Sequence, residues 1–300
     1  MTAGTVSTET RTAPAAPAPG PSTPRRRGSW RSRIWLYLLL AVAALIFLLP
    51  LYWLFSSAVK PSEEIYRFPL QWIPSSLEWG NFADAWNAAP FDRFFLNSAI
   101  TTGIGAAVKV VLAATTAYAF AFLPFPFKRV LFLVLLGALM VPGHVTLLVN
   151  YLTVSNLGWI NSYAGIIVPG MGSVFGTFLL RQHMMTLPKE ILEAARIDGA
   201  RHLRTLVRVV LPMSRPVLVT VALIAVIDEW NNFIWPLIVT NSADMRTLPI
   251  GLLFLKAEEG YSNWGAIMAG TVMVLLPMLI LFFLAQRFIV SGLTQGAVKG

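Results

Sequence analysis

Three ionisable residues lie where an apolar chain has least reason to keep them. Lys109 sits inside a long apolar run near 94–122, and the adjacent Asp228 and Glu229 sit inside another near 216–239. A charge at bilayer depth is costly, so such groups face a cavity or a partner. Lys109 falls about fifteen residues into its run, and the two carboxylates about twelve and thirteen into theirs. At about 1.5 Å per residue, all three reach the middle of a membrane. A Lys109–Asp228 or Lys109–Glu229 pair is therefore geometrically open. It would serve either as an ion pair that fixes helix packing or as part of the lining of a translocation path. Asn231, Asn232 and Trp235 follow the acidic pair. They would suit a path for sugars, whose hydroxyls need hydrogen-bond partners and whose ring faces stack on aromatics. A free Lys109 would favour an anionic solute such as a glycerol phosphate, and the neighbouring carboxylates oppose that. Residue types alone leave both questions open.

Other chemistries find no support. The 300 residues include no cysteine, which excludes disulfides and thiolate chemistry. His144, His183 and His202 are scattered. There is no G-x-x-x-x-G-K-[ST] phosphate loop, no spacing of metal ligands and no nucleophile beside a base. A catalytic residue or a bound metal is not expected.

The elements that must hold the charged trio follow from composition. Hydrophobic residues make up 56% and charged residues 12% of the chain, about half the charge of a soluble domain. Six runs reach the roughly 20 apolar residues that a spanning helix needs: about 34–58, 94–122, 129–150, 163–181, 216–239 and 265–290. The expected fold is an all-α integral membrane protein with six transmembrane helices. Pro142, Gly143, Asn150 and Pro169 interrupt the third and fourth runs. Gly172 and Gly176, one turn apart, would permit close helix contact. Residues 1–29, rich in Pro, Ala, Ser and Thr, read as a disordered tail. The apolar run after Arg33 is longer than the 7–15 residues of a signal peptide, so it is expected to stay as the first helix.

Lys and Arg number seventeen on the side of the termini and of the 181–215 segment, against five on the other side. That bias places both termini in the cytoplasm and accounts for the net charge of +9 without nucleic acid. The outward loops hold eight of the fourteen acidic residues. Trp72, Trp79 and Trp86, seven apart, suit an amphipathic segment at the membrane surface or a platform for an external partner.

Between the fourth and fifth runs lies TLPKEILEAARIDGARHLRTLVRVVLPMSRP, residues 186–216. Thr186 is expected to cap a short helix, with Pro188 in its first turn. Gly199 is expected to end it in the left-handed conformation. A second helix should run from about Arg201 to Val210 and stop at Pro212. Ala194 and Ala195 keep the first helix narrow, while Glu193 and Asp198 offer charged contact points. Such a helix fits a groove on another protein or rests on lipid headgroups; both readings stand on the residues alone.

The pattern Glu193-Ala194-Ala195, then Gly199, then Leu211-Pro212 resembles the EAA loop of binding-protein-dependent ABC importer permeases. The similarity runs from the first helix to the last residue and leaves out 1–29. TFLLRQHMMTLPKEILEAARIDGA, EWNNFIWPLIV and QRFIVSGLTQGAVKG resemble the second permease of carbohydrate importers, the group that includes maltose and glycerol-phosphate systems. The resemblance implies a permease in a bacterial cytoplasmic membrane, paired with a homologous permease, two ATPase subunits and an external solute-binding protein. It implies that 186–212 is a coupling loop touching an ATPase through Glu193, Ala194, Ala195, Asp198, Gly199 and Arg201. Thr294 and Gln295 in the tail would add a further ATPase contact. ATP and Mg would belong to the ATPases, with no cofactor on this chain. An ion-gradient transporter using Asp228 and Glu229 is the alternative, and it leaves the Glu193 helix unexplained.

Overall fold

The computed structural model describes residues 30–255 and 263–294, with side-chain surroundings for 34–255 and 263–286. The expected tail at 1–29 and Gln295 lie outside the described residues, and so does the side chain of Thr294. Every described regular element is a helix. Those used below are α1 (Trp30–Ala58), α2 (Phe91–Phe122), α3 (Val174–Met184), α4 (Lys189–Ile197), α5 (Arg215–Trp230) and α6 (Trp264–Thr294).

Three stretches are long and apolar enough to cross a membrane unaided: Ile34–Ala58, Phe91–Phe122 and Trp264–Gln286. Up to three more spans arise if each of three bent helix pairs is counted as one. Lys128–Met140 and Gly143–Asn156 meet at 93°, so the run expected at 129–150 folds as two pieces and continues to Asn156. The break falls at Pro142, which has no N–H to extend a helix. Tyr163–Gly170 and Val174–Met184 meet at 46°. There Pro169 precedes the bend, and Ser173 restarts the helix by accepting the Gly176 amide at 3.1 Å. The fifth run is also interrupted: α5 stops at Trp230, and a separate helix spans Ile234–Val239.

The described residues divide into two compact units, one ending at Pro50 and the other beginning at Leu51. In the first, Trp35, Leu39, Leu45 and Phe47 are exposed along α1, an apolar surface suited to lipid or a partner helix. In the second, α2 is the central post, flanked by α3 and α5. Its Ala113, Ala114 and Ala117 are buried against Leu180, Met184 and Val221, small residues that let helix backbones approach. Gly176 continues that seam: a β-carbon there would lie 2.8 Å from Val221 Cγ1 and 3.4 Å from Ala113 Cβ. Gly172 faces open space, so only one of the two expected glycine contacts forms.

The Phe91 end of α2 is fastened by polar side chains. Asn97 Nδ2 donates to the carbonyls of Asp244 (2.7 Å) and Arg246 (2.9 Å), and its Oδ1 accepts from Tyr163 Oη at 2.7 Å. Ser98 Oγ accepts the Leu248 amide at 2.7 Å. Near this end, residues 59–79 close on themselves. The buried Lys60 ammonium lies 4.3 Å from the Trp53 ring centroid and donates to the Gln71 carbonyl. Burial pushes Lys60 below the usual lysine range, with the Glu64 carboxylate acting against it. The three tryptophans do not form one amphipathic segment. Trp72 packs edge-on against Trp53 at 5.5 Å, Trp79 lies by Phe82, and Trp86 by Phe91 and Phe95. Trp72 and Trp79 lie in non-helical chain and only Trp86 is on a helix, Gly80–Asn87, so a spacing of seven carries no common face.

Candidate functional site

Lys109 lies eighteen residues after Phe91 and thirteen before Phe122 on α2. Asp228 lies thirteen residues after Arg215 on α5. At about 1.5 Å per residue, both stand roughly 20 Å from the same end of the bundle. The two helices pack side by side, and the equal heights bring the trio together. Lys109 Nζ is 2.5 Å from Asp228 Oδ2 and 2.8 Å from Glu229 Oε1. Both pairings open to the sequence therefore form at once.

The two carboxylates differ in setting because consecutive helical residues point about 100° apart. The Glu229 side chain is 5% exposed and Asp228 is 68% exposed. Glu229 is walled by backbone: a β-carbon on Gly105 would lie 3.0 Å from its Cδ, and one on Gly170 would lie 3.8 Å from Oε1. Neither glycine is marked by the sequence, since nothing local singles out a glycine that makes room for a side chain distant in the chain. Lys109 itself is 9% exposed.

The remaining tentative path residues are arranged differently. Asn231 is exposed, but its Nδ2 donates to the Ile227 carbonyl at 2.8 Å, back onto its own helix. Asn232 is half-buried in the break between Trp230 and Ile234. Trp235 is 7% exposed, clustered with Val154, Ile166 and Val239, and its Nε1 donates to the Gly165 carbonyl at 3.1 Å. Its ring is core packing and offers no open face for a sugar, which corrects the expectation for that residue.

The second site is α4 and the chain on either side. Thr186 does not cap α4. Its hydroxyl donates to the His183 carbonyl at 2.8 Å and closes the turn after α3, and Pro188 occupies the N-cap without a side-chain bond. At the other end the Gly199 amide donates to the Arg196 carbonyl (3.0 Å) and the Ala200 amide to the Ala195 carbonyl (2.9 Å). These two bonds are the Schellman closure, and it needs the left-handed φ of +74° that Gly199 adopts. The alanines have opposite duties. Ala195 is buried toward the bundle, whereas Ala194 lies exposed beside Glu193 and Asp198. Ile197, 87% exposed, adds an apolar point to that outer face. Arg201 is exposed at the N-cap of the next helix and lines, with Arg196 and Tyr118, a cavity of about 680 Å³ beneath the loop.

That next helix runs from His202 to Met213 rather than stopping at Pro212. Residues 206–210 widen into a π turn, which accommodates a proline that cannot donate to the preceding turn. The turn of direction comes at Ser214, where α5 leaves at 89°.

Residues 99–295 match the family model for the binding-protein-dependent transport system inner membrane component. The chain is 35% identical over 274 residues to the sn-glycerol-3-phosphate transport system permease protein UgpE of Pectobacterium atrosepticum, covering 87% of this chain and 96% of that one. It is also 35% identical over 263 residues to the arabinooligosaccharides transport system permease protein AraQ of Halalkalibacterium halodurans, covering 87% and 94%. A crystal structure of a bacterial ABC transporter involved in the import of the acidic polysaccharide alginate contains a chain of the same fold. It superposes with a TM-score of 0.77 at 21% identity, over 86% of this chain and 98% of that chain.

Proposed function

We propose, because the chain belongs to the family of binding-protein-dependent transport system inner membrane components, that it forms half of the pore of an ATP-driven importer for a sugar or sugar-like solute. The other half is a homologous permease, two ATPase subunits hold ATP and Mg, and an external solute-binding protein delivers the cargo. This chain itself holds no cofactor. Both termini and the 186–212 loop face the cytoplasm, as the basic bias favours. The relatives' names supply two solute classes, a glycerol phosphate and a neutral oligosaccharide.

One observation carries the reading. α4 is closed by a Schellman turn, seated on the bundle by Ala195, and left open along Glu193, Ala194, Ile197 and Asp198. A short helix with small, acidic and apolar points on its outer face suits a groove on an ATPase. Four residues join it to α3, and the His202–Met213 helix joins it to α5. Movement of α4 therefore shifts both helices against α2, and α5 carries Asp228 and Glu229 across from Lys109. ATP-driven closure of the ATPases thus acts directly on the mid-membrane charges. The ion-gradient alternative needs a vacant carboxylate pair, and here both carboxylates sit on Lys109.

The test is copurification. The intact complex should retain its ATPase with the wild-type chain and lose it with Glu193→Lys, while membrane levels of the permease stay unchanged. Retention of the ATPase at wild-type stoichiometry in that variant would overturn the coupling assignment.

A further inference from the structure

The charges at mid-membrane do not balance. One ammonium faces two carboxylates, and among the described residues no other cation lies within salt-bridge reach of either. Glu229 is enclosed between Gly105, Gly170 and Lys109, and that pair alone neutralises the buried space. Asp228 is the surplus: one oxygen rests on Lys109, and two thirds of the side chain is open. A net negative charge facing lipid at this depth would be severely penalised, so the open side of Asp228 requires water or a polar passage.

A second feature marks the same place. Directly after Asp228 and Glu229, α5 stops and the chain is non-helical through residues 231–233, with Asn231 exposed and Asn232 half-buried. Non-helical backbone at membrane depth occurs where it is buried in protein or lines a cavity, and broken helices are common walls of transport sites. Asn231 and Asp228, three residues apart, are both exposed on the same side of α5, the side on which such a passage would lie.

We propose that Asp228 is the selectivity residue of the passage, favouring uncharged polyhydroxylated solutes and opposing phosphate- or carboxylate-bearing ones; this rests on the importer reading above. The carboxylate accepts hydrogen bonds from sugar hydroxyls as they pass, with Asn231 and Asn232 beside it. Lys109 is not available to an anion, because Glu229 and Asp228 already occupy it. Glu229, by contrast, is a packing residue that holds α5 to α2.

The test uses the whole complex with its binding protein in proteoliposomes. The probes are arabinotriose, maltotriose, sn-glycerol 3-phosphate and whatever compound elutes from the natively purified binding protein, identified by mass spectrometry. Wild type should import a neutral probe in an ATP-dependent manner and no phosphate- or carboxylate-bearing one. Asp228→Asn should assemble at wild-type yield and import the neutral solute roughly tenfold more slowly, the loss expected when a charge-assisted hydrogen bond becomes a neutral one. Glu229→Gln should instead lower the yield of complex. Wild-type import of an anionic probe, an undiminished rate in Asp228→Asn, or assembly failure of Asp228→Asn like that of Glu229→Gln would each overturn the assignment. Failure of the importer reading looks different: no probe is taken up with ATP even by the wild-type complex, and the selectivity assignment then falls with it.

Discussion

Replacing Lys109 by Met removes the one cation between two carboxylates and keeps an unbranched side chain of nearly the same length. The variant leaves Glu229 buried at 5% exposure between two glycines, with Asp228 beside it and no counter-charge. Breaking a buried pair by deleting one partner costs about 3–5 kcal/mol, because the uncompensated charge stays in a low-dielectric site. The buried partner here is held between Gly105 of α2 and Gly170, so it has little room to swing out, and the upper part of that range applies. Glu229→Gln in the Lys109→Met background removes the stranded charge, and replacing both partners of a pair by neutral groups is often close to neutral. The double variant should therefore recover part of the loss, with a coupling of about 2–3 kcal/mol, within the range known for touching residues. The assay is the fraction of detergent-solubilised complex that stays monodisperse after a heating series. A single variant as heat-stable as wild type, or a double variant whose loss is the sum of the two single losses, would refute the pairing.

Three further outcomes follow from other sites. Gly199→Ala meets no atom within 4 Å and pays only for its left-handed backbone, about 1–2 kcal/mol. Gly199→Asn should cost less, and ATPase copurification from solubilised membranes should fall in that order. Ala195→Leu should destabilise the permease by about 1–3 kcal/mol through overpacking, whereas Ala194→Leu should leave its thermal stability unchanged and weaken ATPase retention; equal effects on both readouts would contradict the opposite facing of the two alanines. At the other end, Lys60 is held below its ordinary pKa, so between the folded and unfolded values the opened loop binds more protons. Raising the pH through that window should stabilise the 59–79 loop, read as slower tryptic cleavage after Arg67 relative to a free peptide of the same sequence; faster relative cleavage would contradict the desolvation of Lys60.

Much of this molecule is written locally. Apolar runs long enough to span a bilayer, the Pro142 and Pro169 interruptions, the left-handed Gly199 and the shortage of charge all depend on nearest neighbours, and so they were legible before any packing was known. The same holds for the isolation of Lys109, Asp228 and Glu229 in apolar surroundings, which marked them as a set. Where local signals compete, the folded structure decides between them. Thr186 has the chemistry of a cap, yet its hydroxyl reached back to His183; Pro212 looks like a stop, yet a π turn carries the helix through it; the tryptophans repeat every seven residues, yet no helix spans them.

Only tertiary structure separated like from like. Asp228 and Glu229 are adjacent carboxylates, and Ala194 and Ala195 are adjacent alanines, indistinguishable by type or spacing. A helix turns about 100° per residue, so which member of each pair is buried depends on where α2 and the bundle lie. Trp235 followed the same rule: a ring suited to stacking on sugar became core because Gly165, seventy residues away, supplied its carbonyl. Composition and periodicity placed the chain in a membrane and its charges at mid-depth; the packing of α2, α3 and α5 decided which charge is locked away and which is left open.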